Sequence, residues 1–291
     1  MNTIFLDLAG AEIRYRGNYR TRCIEYGSGT PLILIHGVGG HAEAYSRNVK
    51  TLGQSHHAMA IDLAWHGFSG KPPFTSHMVP EYCKQIVDLL DSMGEAKCSI
   101  EGESLGGWVT MWFALHYPDR VDKIILNTTA GIKVDETAVK IDHVGGNNAL
   151  RERSIAAIQN PNRETIRKRL EWLMAYPDRV TEELVDLRYM IYSNPETQQS
   201  LTKVFAHSFL DSAAPYAIPE SDVAKITAPT LVLWSDKNPG AGPDVGQRIA
   251  KIIPGAQYAC VDDAAHWPQW EQPEKHDAIV NGFLAGKLAA V

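Results

Sequence analysis

The apolar positions of the chain fall into short continuous runs separated by stretches with helical spacing. Residues 31–37, PLILIHG, form an unbroken apolar run closed by glycine, a pattern that suits a strand covered on both faces. Residues 57–63 (HAMAIDL), 97–102 (KCSIEG) and 123–129 (KIILNTT) read the same way. Nearer the N-terminus, 4–8 (IFLDL), 12–16 (EIRYR) and 22–26 (RCIEY) alternate instead, which predicts short antiparallel edge strands. Helical stretches over 79–93 and 105–117 separate the buried runs, and Pro118 helps to stop the second. The strand pattern returns with 230–234 (TLVLW) and 256–261 (AQYACV), and a last helix is expected over 276–288. Strands alternating with helices in this order predict an α/β fold, a mostly parallel sheet with helices on both faces.

Residues 132–222 have a different texture. They hold no convincing buried strand, and Ile166, Leu170 and Leu173 repeat at helical spacing. Residues 181–195 and 194–210 continue the helical reading, with Asn194 as an N-cap and Pro195 at the first helical position. The expected organisation is a core in two parts, 1–131 and 223–291, with a helical cap inserted over 132–222. Such a cap would roof the carboxyl edge of the sheet, where open α/β folds place their sites. The rival reading, a solvated linker domain, fits the leucine and aromatic content less well.

Composition narrows the function. A chain of 291 residues is long enough for one large α/β domain with an insertion. The net charge of −6 argues against binding to nucleic acid or to an anionic membrane surface. No run of about 18 apolar residues is present, and the N-terminal segment does not read as a signal peptide. Cys23, Cys83, Cys98 and Cys260 are far apart and form no metal-type pattern, so buried free thiols in a reducing cytoplasm are expected. No phosphate loop and no metal-ligand cluster is visible, and no cofactor is expected.

The chemistry is carried by residues 99–108, SIEGESLGGW. Gly102-x-Ser104-x-Gly106 sits directly after a predicted strand and directly before a predicted helix, the setting of a nucleophile elbow. There the serine hydroxyl stands exposed at a helix N-terminus, whose partial positive charge favours an oxyanion. Residues 34–40, LIHGVGG, follow a buried strand. In a fold of this kind that turn supplies one oxyanion-hole amide, here Val38, and the residue after the serine, Leu105, supplies the other. His36 is read as a brace for its loop, and His56, His57 and His66 as surface or loop-bracing residues. His143, His207 and His276 have no motif around them. His266 follows the last strand and occupies the place of a general base in the order serine, acid, histidine. The turn after TLVLW, in WSDKNPG, should face it and offers Asp236 and Asn238. Asp262 and Asp263 lie on the histidine's own loop, on the wrong side of the ring.

On these motifs the chain resembles the α/β-hydrolase fold over nearly its whole length. Within that fold it is most similar to the meta-cleavage product hydrolases, which cleave carbon–carbon bonds in aromatic ring-opening products. Residues 47–49 (RNV), 116–131 (HYPDRVDKIILNTTAG), 181–188 (TEELVDLR) and His266-Trp267 carry the likeness. The resemblance implies that Arg188 grips a substrate carboxylate and that Trp267 lines the site beside the base. It places Asn238 at the position of the triad acid, usually an aspartate. It also implies a small-molecule substrate and leaves room for a homo-oligomer. The chain departs from the pattern in three places: Glu103 stands where the family usually has asparagine, Asn238 where it usually has aspartate, and residues 37–45, GVGGHAEAY, lack the extra glycine and proline usual in the oxyanion turn. The expected activity is serine-dependent cleavage of a C–C bond in a carboxylate-bearing dienoate. A carboxylesterase or lactonase with the same triad is the alternative, and a non-catalytic binder on the same shell is the third. A serine at the elbow argues against dehalogenase or epoxide hydrolase chemistry, which uses aspartate there. For Arg188 the competing reading is a helix-surface residue paired with Glu182 or Glu183.

Overall fold

The structure, a computed structural model, describes residues 3–74, 77–133, 146–209 and 216–287; His143 lies outside them. Among the described residues ten strands form: β1 (Glu12–Arg16), β2 (Thr21–Tyr26), β3 (Pro31–Ile35), β4 (His57–Ile61), β5 (Cys98–Glu103), β6 (Val121–Asn127), β7 (Ile132–Lys133), β8 (Ile218–Pro219), β9 (Thr230–Ser235) and β10 (Gln257–Val261). Eight of them make one sheet in the order β1-β2-β4-β3-β5-β6-β9-β10. The β1–β2 and β2–β4 pairs are antiparallel, and every other pair in the sheet is parallel. β7 and β8 form a separate parallel pair, both within the segment between β6 and β9.

The continuous apolar runs become the strands that helices cover on both sides. β3, β5 and β9 are buried at every residue. Helices Met78–Met93 and Leu105–His116 pack on each other and cover part of this sheet. β1, at the antiparallel edge, is exposed over four of its five residues. The last helix spans Pro273–Leu284, a few residues earlier than its apolar spacing indicated, because Pro273 supplies a ready first turn.

One expected strand is a helix. Residues Ile4–Asp7 form a single helical turn rather than an edge strand. The Thr3 hydroxyl accepts from the Leu6 amide at 3.1 Å, and the Glu183 carboxylate accepts from Ile4 N at 2.7 Å and Phe5 N at 3.3 Å. The orphan amides of the turn are thus met, two of them by a residue far away in sequence.

Between β6 and β9 lie helices Gly146–Gln159, Arg163–Glu171, Glu182–Tyr192 and Pro195–Phe209. Asn162 and Thr165 form a reciprocal capping box on the second. Thr181 caps the third through Leu184 N. Asn194 Oδ1 accepts from Glu196 N and Thr197 N at the head of the fourth. The segment is tied to the core at several points. His266 N donates to Leu173 O at 2.9 Å, the Tyr192 hydroxyl to Gly39 O at 2.8 Å, and Trp108 Nε1 to Tyr216 O at 2.9 Å. Among the described residues no helix is long and apolar enough to cross a membrane. Cys23, Cys83 and Cys98 are buried and Cys260 is half-buried, all of them free thiols.

Candidate active site

Ser104 stands between β5 and the helix Leu105–His116, with φ 53° and ψ −112°. This is a left-handed conformation that costs a non-glycine residue on the order of 1–3 kcal/mol. The surroundings hold it there. Ser104 N donates to Asn127 O at 3.1 Å, and Ala130 N donates to Ser104 O at 3.1 Å, so the elbow is clamped to the end of β6. The flanking glycines are required by contact. A Cβ on Gly102 would collide with the Gly106 carbonyl, and one on Gly106 with the Ile35 carbonyl. Leu105 is the first residue of its helix, where backbone amides have no intrahelical acceptor. Val38 lies half-buried in the turn that follows β3.

β9 and β10 are parallel neighbours, so the turns at their ends meet. His266 Nδ1 is 2.7 Å from Asn238 Oδ1. The Asn238 Nδ2 group donates to Ala241 O at 2.9 Å, which turns the amide oxygen toward the ring. Asp236 points elsewhere: its Oδ1 accepts from Ala264 N at 3.1 Å. Asp263 is held by Arg179 and Lys237. The backbone around the histidine is pinned from three sides, by Thr128 Oγ1 on His266 O, by Ser235 Oγ on Ala265 O and by His266 N on Leu173 O.

The other face of the imidazole meets a group to which the sequence assigned no role. His266 Nε2 is 3.1 Å from Glu103 Oε1. Glu103 is 1% exposed, and its Oε2 accepts from Gly37 N at 2.6 Å.

Arg188 is also 1% exposed. Its Cζ lies 5.4 Å from the centre of the buried Trp267 ring and 6.0 Å from that of Tyr192. Neither Nε nor Nη2 has a hydrogen-bond partner among the described residues. Glu182 is taken by Arg163 and Arg167, and Glu183 by the N-terminal turn, so the ion-pair reading of Arg188 has no partner left. Burial lowers the pKa of this guanidinium, against the opposing pull of Tyr192 and Glu103. A second buried arginine, Arg169, donates from Nε to Ser154 Oγ at 2.8 Å and leaves Nη1 without a partner. Burial pushes its pKa down to about 10. Sequence reading missed it; the signal was an arginine on the same helical face as Ile166 and Leu170.

Behind the elbow lies a buried polar network, also missed. His276, read as lacking a role, is fully buried between Glu101 (Nε2···Oε1 2.7 Å) and Asp277 (Nδ1···Oδ1 2.9 Å). Asn127 Nδ2 donates to Glu101 and to Gln269 Oε1, and Asn48 Nδ2 donates to Asp277. Burial alone would lower the pKa of His276, but the Glu101 charge and the two hydrogen bonds raise it to about 10. Of the two readings of His66, surface or loop-bracing, the second holds: it is fully buried, its Nδ1 lies 3.0 Å from Ala64 O, and its ring is 4.9 Å from that of His36. His36 does brace its loop, through Gly37 O and Leu63 N. Among the described residues no group of three or more His, Cys, Asp or Glu side chains is placed to hold a metal ion.

Residues 30–273 match the alpha/beta hydrolase fold family, and the chain belongs to it. It is 26% identical to the 2-hydroxymuconate semialdehyde hydrolase of Pseudomonas putida over 278 residues, 95% of this chain and 94% of that one. It is 26% identical to Lipase 3 of Moraxella sp. over 245 residues, 84% of this chain and 74% of the lipase. The crystal structure of a meta-cleavage product hydrolase from Pseudomonas fluorescens IP01 superposes with a TM-score of 0.82 at 25% identity, over 95% of this chain and 98% of that one. The chain is therefore an α/β-hydrolase related to the C–C hydrolases.

Proposed function

We propose that this enzyme cleaves a C–C bond in a carboxylate-bearing dienoate of the kind formed by aromatic ring opening, with Ser104 as nucleophile and His266 as base. The observation that carries the substrate class is Arg188. A buried guanidinium with no carboxylate partner is costly unless a ligand supplies one, and it lies against Trp267, the residue next to the base. Arginine's planar fork suits a carboxylate. Residues 132–222 act as the cap that carries Arg188 over the elbow.

In the reaction, His266 Nε2 takes the Ser104 proton as the hydroxyl attacks the carbonyl. The Val38 and Leu105 amides receive the oxyanion, each such donor being worth about 3 kcal/mol. The dienol must first become a ketone so that the departing carbanion is delocalised, and His266 serves that transfer as well. Water then releases the acyl group from Ser104.

The test is bleaching of a coloured 2-hydroxy-6-oxo-dienoate, followed spectrophotometrically, with Ser104→Ala as control. Wild type should turn the substrate over and the variant should bind it without turnover. Hydrolysis of p-nitrophenyl esters with no action on the dienoate would make the enzyme a carboxylesterase or lactonase instead. Undiminished activity in Ser104→Ala would remove the nucleophile assignment.

A further inference from the structure

The triad acid of a serine hydrolase does two things: it fixes the tautomer and orientation of the imidazole, and it stabilises the imidazolium that forms when the serine proton is taken. Asn238 can do only the first. Its oxygen, oriented by the Ala241 carbonyl, receives Nδ1–H at 2.7 Å, but it carries no charge. The carboxylate that meets the ring is on the other side, where Glu103 Oε1 stands 3.1 Å from Nε2.

We infer that the two roles are divided in this enzyme: Asn238 orients His266, and Glu103, the residue before the nucleophile, supplies the negative charge that stabilises its protonated form. The inference rests on the reading of Ser104 and His266 as nucleophile and base. The proton inventory is simple. The Ser104 Oγ–H bond breaks as Oγ bonds to the carbonyl carbon, and the proton goes to Nε2. Nε2–H then faces the Glu103 carboxylate until it is delivered to the leaving group. Glu103 gains no proton.

The carboxylate is held for this task. Oε2 is fixed by the Gly37 amide at 2.6 Å, and a Cβ at position 37 would collide with it, so glycine in the oxyanion turn is what lets Glu103 come so close. The neighbouring charges do not replace it. Asp236 accepts from Ala264 N and Asp263 is neutralised by Arg179 and Lys237. Arg188 and Arg169, the cations of the inserted segment within electrostatic reach of Glu103, have the opposite sign.

The test is charge transplantation, read by the rate at which a fluorophosphonate labels Ser104 in the full-length enzyme. Glu103→Gln keeps an oxygen for the Gly37 amide and removes the charge. Labelling should slow on the order of 10²–10³-fold, less than the 10⁴ of a triad Asp→Asn change because the tautomer is kept. Adding Asn238→Asp to Glu103→Gln, which returns a charge at Nδ1, should recover at least about tenfold of the loss. Thermal melts confirm that each variant is folded. A Glu103→Gln enzyme with wild-type rate, or a loss that Asn238→Asp does not relieve in a folded double variant, overturns the inference while leaving Ser104 in place. Wild type that is not labelled at Ser104 overturns the serine reading, and this inference with it.

Discussion

Replacing Arg188 by methionine should move binding and stability in opposite directions. The change removes the guanidinium and keeps an unbranched side chain of similar reach. Arg188 is 1% exposed, two of its three nitrogens lack a partner among the described residues, and burial lowers its pKa. In the substrate complex a charge-assisted hydrogen bond to a carboxylate contributes about 1.5–3 kcal/mol. At 1.36 kcal/mol per decade that is a loss of about 10- to 150-fold in kcat/KM for a dienoate. A neutral p-nitrophenyl ester makes no such bond and should change by less than about threefold, under 1 kcal/mol. The free protein should gain, because an unpaired buried cation gives way to an apolar side chain, a class of change that commonly adds about 0.5–2 kcal/mol. Steady-state kinetics on the two substrates and a denaturant melt read all three quantities. Equal losses on dienoate and ester, or a lower stability in Arg188→Met, would show that the arginine holds the fold together and would remove the case for an acidic substrate.

The remaining predictions concern the supports of the site. Asn238→Ala should slow turnover by about 10²-fold or more by freeing the imidazole, whereas Asp236→Ala, which loses one bond to Ala264 N, should cost about 0.5–1.5 kcal/mol of stability and little rate; comparing kcat with melting curves separates them, and the reverse pattern would mean that the turn is used in another register. His276→Gln should destabilise the fold by about 3–5 kcal/mol, because it leaves Glu101 and Asp277 buried without their cation. With the pKa of His276 raised from 6.5 to about 10, its contribution is fully present below pH 6.5, declines across the interval and is gone above pH 10. The wild-type advantage over His276→Gln in chemical denaturation should follow that course. Gly102→Ala should cost about 1–3 kcal/mol or more through its clash with the Gly106 carbonyl, measurable as a lower melting temperature with Ser104 labelling lost in parallel.

Much of the fold is legible along the chain because its strands are covered on both faces. PLILIHG and TLVLW could hardly be anything but buried strands, and the elbow announces itself by glycines whose close contacts leave no alternative residue. Chain order singled out His266, counting from Trp234 singled out Asn238, and the two side chains meet at 2.7 Å. The misreadings share one cause. IFLDL has a strand's alternation, but its first amides are satisfied by Glu183, a residue at the start of the helix Glu182–Tyr192. His276 has no motif because its partners come from β5 and from its own helix only after folding. Glu103 could be counted as a departure from the family pattern, but no spacing shows which way a side chain beside Ser104 will turn. Each of these depends on contacts between segments distant in sequence, which local pattern does not encode.

Two sets of buried charges lie at this end of the sheet, and they differ in a way that separates structure from function. The cation of His276 is answered within the protein by Glu101 and Asp277, and Asn48 and Asn127 bind those carboxylates in turn. Such a set ties β5 to the helix after the His266 loop and asks nothing of a ligand. Arg188 and Arg169 are left open: neither forms an ion pair among the described residues, and three of their nitrogens lack hydrogen-bond partners. One oxygen of Glu103 accepts from a backbone amide and the other stands 3.1 Å from His266 Nε2. Natural sequences break the rule against unanswered buried charge where function requires it. Here the open cations come from helices Arg163–Glu171 and Glu182–Tyr192 and the anion from the end of β5. An acidic substrate entering between them would complete the cations' bonding, while Glu103 would remain directed at the imidazole. Under the proposed function that division would leave substrate recognition to the segment between β6 and β9 and proton chemistry to the sheet, so changes at Arg188 and Glu103 should be separable by substrate: the first felt only with a carboxylate present, the second with every substrate that reaches Ser104.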